Sequence, residues 1–190
     1  QLRSLFPQAD GYMIEPQPEK ELTDKLKLIE SHHKINYLPY AIGSEDSEME
    51  FRYSDQDFYR GGSLGVRGDA AGDKFFNKTA RVRVRSLDSL LAAGEIKPPQ
   101  LLKLDVEGME LKALRGATEV LKSVELICME TMLFRNWVEH PPFAEIIYAA
   151  AEMGFVLYDL GQPGYRPYDG ALAILDVILC REDSKLRAYH

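Results

Sequence analysis

Leu22, Leu26 and Ile29 recur at helical spacing with charged residues between them, which predicts a helix over 18–32. Leu111, Leu114, Ala117, Val120 and Leu121 do the same and predict a helix over 107–122. A third helix runs from Phe143 to Met153 and is closed by Gly154. Ser86 is placed to cap a shorter one over 86–91. Compact apolar runs alternate with these helices and predict strands over 11–15, 35–42 (bent at Pro39), 101–106, 124–130, 155–160 and 171–179. Met49–Tyr53 and Ala80–Val84 alternate as strands, and either form a hairpin or extend the sheet. Gly161–Asp169 reads as a turn-rich insert, and 55–78 is the loosest stretch. Gln1–Phe6 reads as the last turns of an amphipathic helix closed by Pro7. Strands alternating with helices mean an α/β fold with a doubly wound, mostly parallel sheet. The last two strands have no helix between them and are expected to pair as an antiparallel edge hairpin.

A chain of 190 residues fits one domain and can bury a core without disulfides. The net charge of −7 disfavours nucleic acid as a partner, because no counterions are released on binding. No run approaches the ~20 apolar residues of a membrane span, and the first residues do not form a signal peptide. Cys128 and Cys180 both sit in apolar runs, which suggests buried, inert thiols in a reducing compartment. A cytoplasmic location is therefore expected, and the sequon at Asn77 is read as chance. A homodimer is left open.

In a sheet of this kind ligands bind beyond the carboxyl ends of the strands. Those ends carry Glu15, Ala41 and Ile42, Asp105 with Glu107, and Glu130. Glu15 is placed to accept both hydroxyls of an adenosine ribose. The glycine-rich phosphate loop belonging to such an acid lies about 20 residues before it, so the first strand and its loop are expected ahead of Gln1. Asp105 ends an apolar run, Glu107 follows at the turn, and Gly108 permits close approach. Glu110 reads as a first-turn charge favoured by the helix dipole. His140, with Phe134 and Trp137, lies in a loop that can reach the site. The His32–His33 pair ends a helix and has no ligand at metal spacing. No metal site is expected.

The block Leu102-Lys103-Leu104-Asp105-Val106-Glu107-Gly108-Met109-Glu110, followed by Leu114-Arg115-Gly116-Ala117, resembles the signature of FkbM-type methyltransferases. Tyr12-Met13-Ile14-Glu15-Pro16 is similar to the family's second strand, and Leu38-Pro39-Tyr40-Ala41-Ile42-Gly43 to its third. Gly62-Ser63-Leu64 resembles its serine loop, Val82–Asp88 its "v.v.tLD" segment, and Val124–Thr131 its fifth strand. The family's "D.GAn.G" loop has no counterpart in this sequence. The domain, 1–190, is accordingly expected to lack its first strand and that loop.

The resemblance implies S-adenosylmethionine as cofactor and O-methyl transfer to a hydroxyl of a sugar, polyketide or similar small molecule. Aligning oxygen, methyl and sulfur supplies much of such a rate, and a nearby base helps a hydroxyl attack. Under this reading Asp105 and Glu107 position the cofactor and take the proton, and Glu15 holds the ribose. Ala41 and Ile42 pass the adenine, and Tyr59, Ser63, Glu130 and His140 face the acceptor. Two alternatives stand beside it: a nicotinamide-dependent oxidoreductase, and a non-catalytic module that keeps the fold without the cofactor loop.

Overall fold

The computed structural model describes residues 7–16, 18–54, 62–63, 76–134 and 141–188. The predicted substrate-facing residues Tyr59 and His140 lie outside this range, as does the segment 1–6.

Among the described residues the strands form three hydrogen-bonded sheets. In the first, β1 (Gly11–Ile14) and β2 (Ile35–Leu38) pair in parallel, from Gly11 opposite Ile35 to Ile14 opposite Leu38. Helix α1 (Lys20–His32) connects them and buries no residue fully. The second sheet has the order β7-β8-β10-β9, built from β7 (Leu101–Leu104), β8 (Leu126–Met132), β9 (Phe155–Tyr165) and β10 (Leu172–Arg181). The β7–β8 pair is parallel, and β10 runs antiparallel to both β8 and β9. The expected C-terminal hairpin is therefore present, with β9 at the edge. The third sheet has the order β3-β6-β4-β5 and contains β3 (Ala41–Ile42), β4 (Ser47–Tyr53), β5 (Gly62–Ser63) and β6 (Lys78–Arg85).

The core follows from period-two alternation in the strands. Ile127, Met129, Leu175, Val177 and Leu179 point to one face of the second sheet and are buried. They meet Leu87 and Leu90 of α2 (Leu87–Ala92), Ala113 and Leu114 of α3 (Glu110–Arg115), and Ile146 and Ala150 of α4 (Phe143–Glu152). Val177, Leu179 and Ile127 have no exposed surface, and burying each such side chain contributes about 1.5–3 kcal/mol. The opposite face carries Lys103, Cys128, Glu130 and Asp176 and stays partly exposed. Cys128 is thus half-buried rather than fully buried as expected, whereas Cys180 is buried; both are free thiols.

Polar contacts join the third sheet to this core. Arg85 reaches Asp46 and Glu95, each at 2.9 Å, and Asp46 accepts from the Ser86 amide at 2.9 Å. The Ser86 side chain caps α2 as anticipated, accepting from the Ser89 amide. Asp88 accepts from the amides of Glu119 and Val120, both at 2.9 Å, and so caps the 3-10 turn Val120–Lys122.

Several boundaries differ from the sequence expectation for identifiable reasons. The predicted strand over 35–42 divides, because Pro39 donates no ladder hydrogen bond and the Tyr40 amide turns back to the Leu38 carbonyl at 3.0 Å. Its two halves join different sheets. The predicted helix over 107–122 shrinks to Glu110–Arg115, since residues 105–109 form a turn and Gly116 ends the helix against Gly43. The insert at Gly161–Asp169 is largely strand: β9 continues to Tyr165, with register shifts against β10. Segments 49–53 and 80–84 do pair antiparallel, in a sheet of their own. No described helix is long and apolar enough to cross a membrane.

Candidate active site

A groove opens where the carboxyl ends of β1 and β7 meet β3. Glu15, Ala41, Ile42 and Asp105, the residues assigned to the cofactor from sequence, all line it. Tyr40, Phe51 and Met109 complete its walls, with Ile14, Pro16 and Val106 beside the two acids.

Glu15 follows the last residue of β1. Its amide donates to the Leu38 carbonyl at 3.1 Å, and its carbonyl accepts from the Tyr37 hydroxyl at 3.0 Å. The backbone is thus fixed on both sides while the carboxylate faces the groove. Burial, and secondarily the negative charge of Asp105, push the Glu15 carboxyl above its ordinary range. Asp105 follows buried Leu104 and pairs with Lys103 at 2.8 Å, both side chains being about half exposed. Ala41 and Ile42 are buried at 3% and 7% exposure and present an apolar wall.

Between Asp105 and α3 the chain makes a tight turn. Glu107 adopts a φ of +49° and Gly108 one of +96°. A left-handed backbone is ordinary for glycine and strained for glutamate, and such strain concentrates at functional sites. The Met109 amide closes the turn on the Val106 carbonyl at 3.3 Å. Glu107 is half-buried here.

Glu130 lies on β8, directly opposite Asp176 of β10. Burial, then the charges of Asp105 and Asp176, raise its carboxyl; Lys103 opposes them. Glu130 lies on the partly exposed face of the second sheet, not among the residues lining the groove. Ser63 lies in β5, where it pairs with Arg52. Among the described residues no group of three or more His, Cys, Asp or Glu could hold a metal ion.

Two residues escaped the sequence reading. Asp176 interrupts the apolar run of β10, and a lone acid in such a run was a legible signal. Glu110, read as a first-turn charge favoured by the helix dipole, is only 2% exposed. Its Oε1 accepts from the amides of Val106 and Gly108 at 3.3 and 3.2 Å. Glu110 is the first residue of its helix and reaches back past the N-cap Met109 to the turn, and its position after a glycine turn was the available clue.

The raised carboxyls of Glu15, Glu110 and Glu130 give a pH prediction. Each binds its proton more tightly in the folded chain than at its ordinary value of 4.5. Stability therefore falls as pH rises from that value through the elevated folded pKa values, and the loss is complete above them. The exposed Asp169, held at about 2 by Arg166, varies only at more acidic pH. The melting temperature is expected to be higher at pH 5 than at pH 8, and the difference to shrink in Glu15→Gln. A melting temperature that climbs over this interval would contradict the assignment.

The groove pairs carboxylates with an apolar wall, a lining that suits a nucleoside. A carboxylate at a strand tip suits the ribose diol, and Ala41, Ile42, Phe51 and Met109 offer a surface for a base. Two carboxylates close together also suit a sulfonium cation.

The known proteins that the chain resembles are methyltransferases. The chain is 25% identical over 122 residues to the hexuronic acid methyltransferase AglP of Haloferax volcanii, a match covering 64% of this chain and 47% of that protein. It superposes on the crystal structure of methyltransferase FkbM from Methylobacillus flagellatus KT with a TM-score of 0.51 at 16% identity. That superposition covers 93% of this chain and 39% of the other, and at this identity it speaks for the fold alone. The chain thus spans less than half the length of either. The family model described as the methyltransferase FkbM domain matches residues 4–157, which is most of the chain, so the chain belongs to the FkbM methyltransferase domain family.

Proposed function

We propose that the chain is the core of an S-adenosylmethionine-dependent O-methyltransferase acting on a hydroxyl of a small, sugar-like acceptor. The observation that carries this reading is the convergence of Glu15, Asp105, Ala41 and Ile42 on one groove at the carboxyl ends of β1 and β7. Family membership favours methyl transfer over a nicotinamide-dependent reaction. The hexuronic acid named for the archaeal relative supports a sugar-like acceptor. Two free thiols, Cys128 and Cys180, fit the reducing cytoplasm.

The cofactor supplies an electrophilic methyl group on a sulfonium. Glu15 holds the ribose hydroxyls, and the apolar wall at Ala41–Ile42 takes the adenine. Asp105 and Glu107 fix the charged end, and one of them accepts the proton released by the attacking hydroxyl. Glu130, on the partly exposed face of the second sheet, is kept for the acceptor side.

A further strand belongs to this reading. Among the described residues β1 bonds only to β2, and β7 only to β8. The N-terminal ends of β1 and β7 are nevertheless tied together: Lys97, four residues before β7, reaches Asp10 at 2.9 Å, and its amide bonds to the Tyr12 hydroxyl at 3.1 Å. We propose that a parallel strand seated between β1 and β7 completes the sheet and brings the glycine loop for the methionine half.

Calorimetric titration with S-adenosylhomocysteine tests both statements. The 190-residue chain is compared with a form lengthened at its N-terminus by a strand and loop of the family's pattern. Tight binding is expected for the lengthened form and weak binding for the shorter, with Glu15→Ala costing about tenfold or more in either. Absence of binding by both forms would overturn the enzyme reading and leave the non-catalytic module.

A further inference from the structure

We propose that Glu110 is a positioning residue of the groove: its buried carboxylate clamps the turn from Val106 to Gly108 and so fixes how Asp105 and Glu107 are presented. The proposal rests on the reading that those two acids serve the cofactor.

The geometry is specific. Glu110 Oε1 accepts from the two amides that flank Glu107, at 3.3 Å from Val106 and 3.2 Å from Gly108. Between those amides Glu107 is left-handed, and Gly108 after it is left-handed as well. Two consecutive residues in that region do not hold themselves, least of all when one carries a side chain. The turn's own backbone bond runs from the Met109 amide to the Val106 carbonyl at 3.3 Å. The carboxylate adds two bonds of about the same length and engages two amides that this bond leaves out.

Glu110 can act as an anchor because it is itself anchored. It opens α3, whose Leu111, Ala113 and Leu114 are 6%, 0% and 1% exposed. The Ala113 amide bonds to the Met109 carbonyl at 2.8 Å. A rigid line thus runs from the core through α3 to the carboxylate, and from there to the turn. An acid placed for the helix dipole alone gains from that dipole while exposed and has no reason to be buried at 2% exposure.

The test has one arm on the unaltered chain and one on variants. In the unaltered chain, nuclear magnetic resonance follows the Glu110 carboxyl and the amide protons of Val106 and Gly108 through a pH titration. Both amide signals are expected to move with the Glu110 carboxyl; amides that ignore it overturn the clamp. In the second arm, Glu110→Gln keeps an acceptor on a side chain of the same length, and Glu110→Met removes it at similar volume. S-adenosylhomocysteine affinity is measured on whichever form of the chain binds it. Glu110→Gln is expected to stay within about threefold of the parent, and Glu110→Met to weaken at least about tenfold while melting cooperatively. Faster amide exchange at Val106 and Gly108 is expected only in Glu110→Met. Parental affinity in a folded Glu110→Met chain overturns the positioning role. If no form binds the ligand, the cofactor reading fails, and the titration and amide exchange still decide the clamp. If Glu110→Met does not fold, the titration of the unaltered chain and the affinity of Glu110→Gln decide it.

Discussion

A Gly116→Ala chain is expected to melt about 10 °C below the parent or to fail to fold. A Cβ at this position would stand 2.3 Å from the Gly43 carbonyl oxygen, 3.0 Å from Ser44 Cα and 3.1 Å from the Ser44 carbonyl carbon. All three obstacles are backbone, so no flexible side chain can swing aside. Gly43 cannot retreat cheaply either: its amide bonds to the Arg85 carbonyl at 3.1 Å. Leu114 and Ala117, on either side of Gly116, are 1% and 0% exposed and lock the other partner. Overpacking costs about 1–3 kcal/mol, and a backbone collision belongs at the top of that range. At about 2–4 °C per kcal/mol for a domain of this size, the shift is about 10 °C. Thermal unfolding followed by circular dichroism measures it. Gly94→Ala is the control: its Cβ meets nothing within 4 Å, and only the positive φ of +72° is strained. A Gly116→Ala chain melting as close to the parent as this control does would show that the two segments can separate freely.

Asp105→Ala is expected to separate activity from stability. In a form of the chain that transfers methyl groups, kcat/KM is expected to fall by about 10²–10³-fold, the range for loss of a positioned charge or base. The melting temperature is expected to stay nearly constant. The ion pair that Asp105 makes with Lys103 joins side chains 52% and 43% exposed, and such a pair contributes about 0–1 kcal/mol. Side by side, the thermal melt and the transfer assay discriminate: equal losses in both would make Asp105 a structural residue, and unchanged transfer would remove it from the site.

The alternation of helical and strand periods carried the α/β class, the C-terminal hairpin and the strand tips at Glu15 and Asp105. What it could not carry were decisions made by tertiary contacts. Local periodicity is equally satisfied by one long helix over 107–122 or by a turn, a short helix and a 3-10 turn. The choice falls to Gly116 meeting Gly43, residues 73 positions apart. Likewise the run over 35–42 looks like one strand, and only the pairing of Ala41 with Val84 assigns its end to another sheet. The groove was legible because strand ends converge by the rules of open sheets. The burial of Glu110 was not legible: a first-turn glutamate reads the same whether it faces water or folds back under a turn. Asp176 could have been noticed, as the acid among the apolar residues of β10.

The separation of β1 and β2 from the rest of the strands has a consequence for local opening. The unit formed by β1, α1 and β2 bonds to no other strand among the described residues, and its helix buries nothing fully. In the 190-residue chain its amides are expected to exchange with solvent through sub-global excursions rather than global unfolding. Each excursion carries Glu15 away from Asp105 and dismantles the groove while the second sheet stays intact. A ligand spanning the two acids binds only the closed form, so it draws down the open population by mass action. The β1–α1–β2 unit is, in this sense, a thermodynamic latch whose protection against exchange is expected to rise with occupancy of the groove.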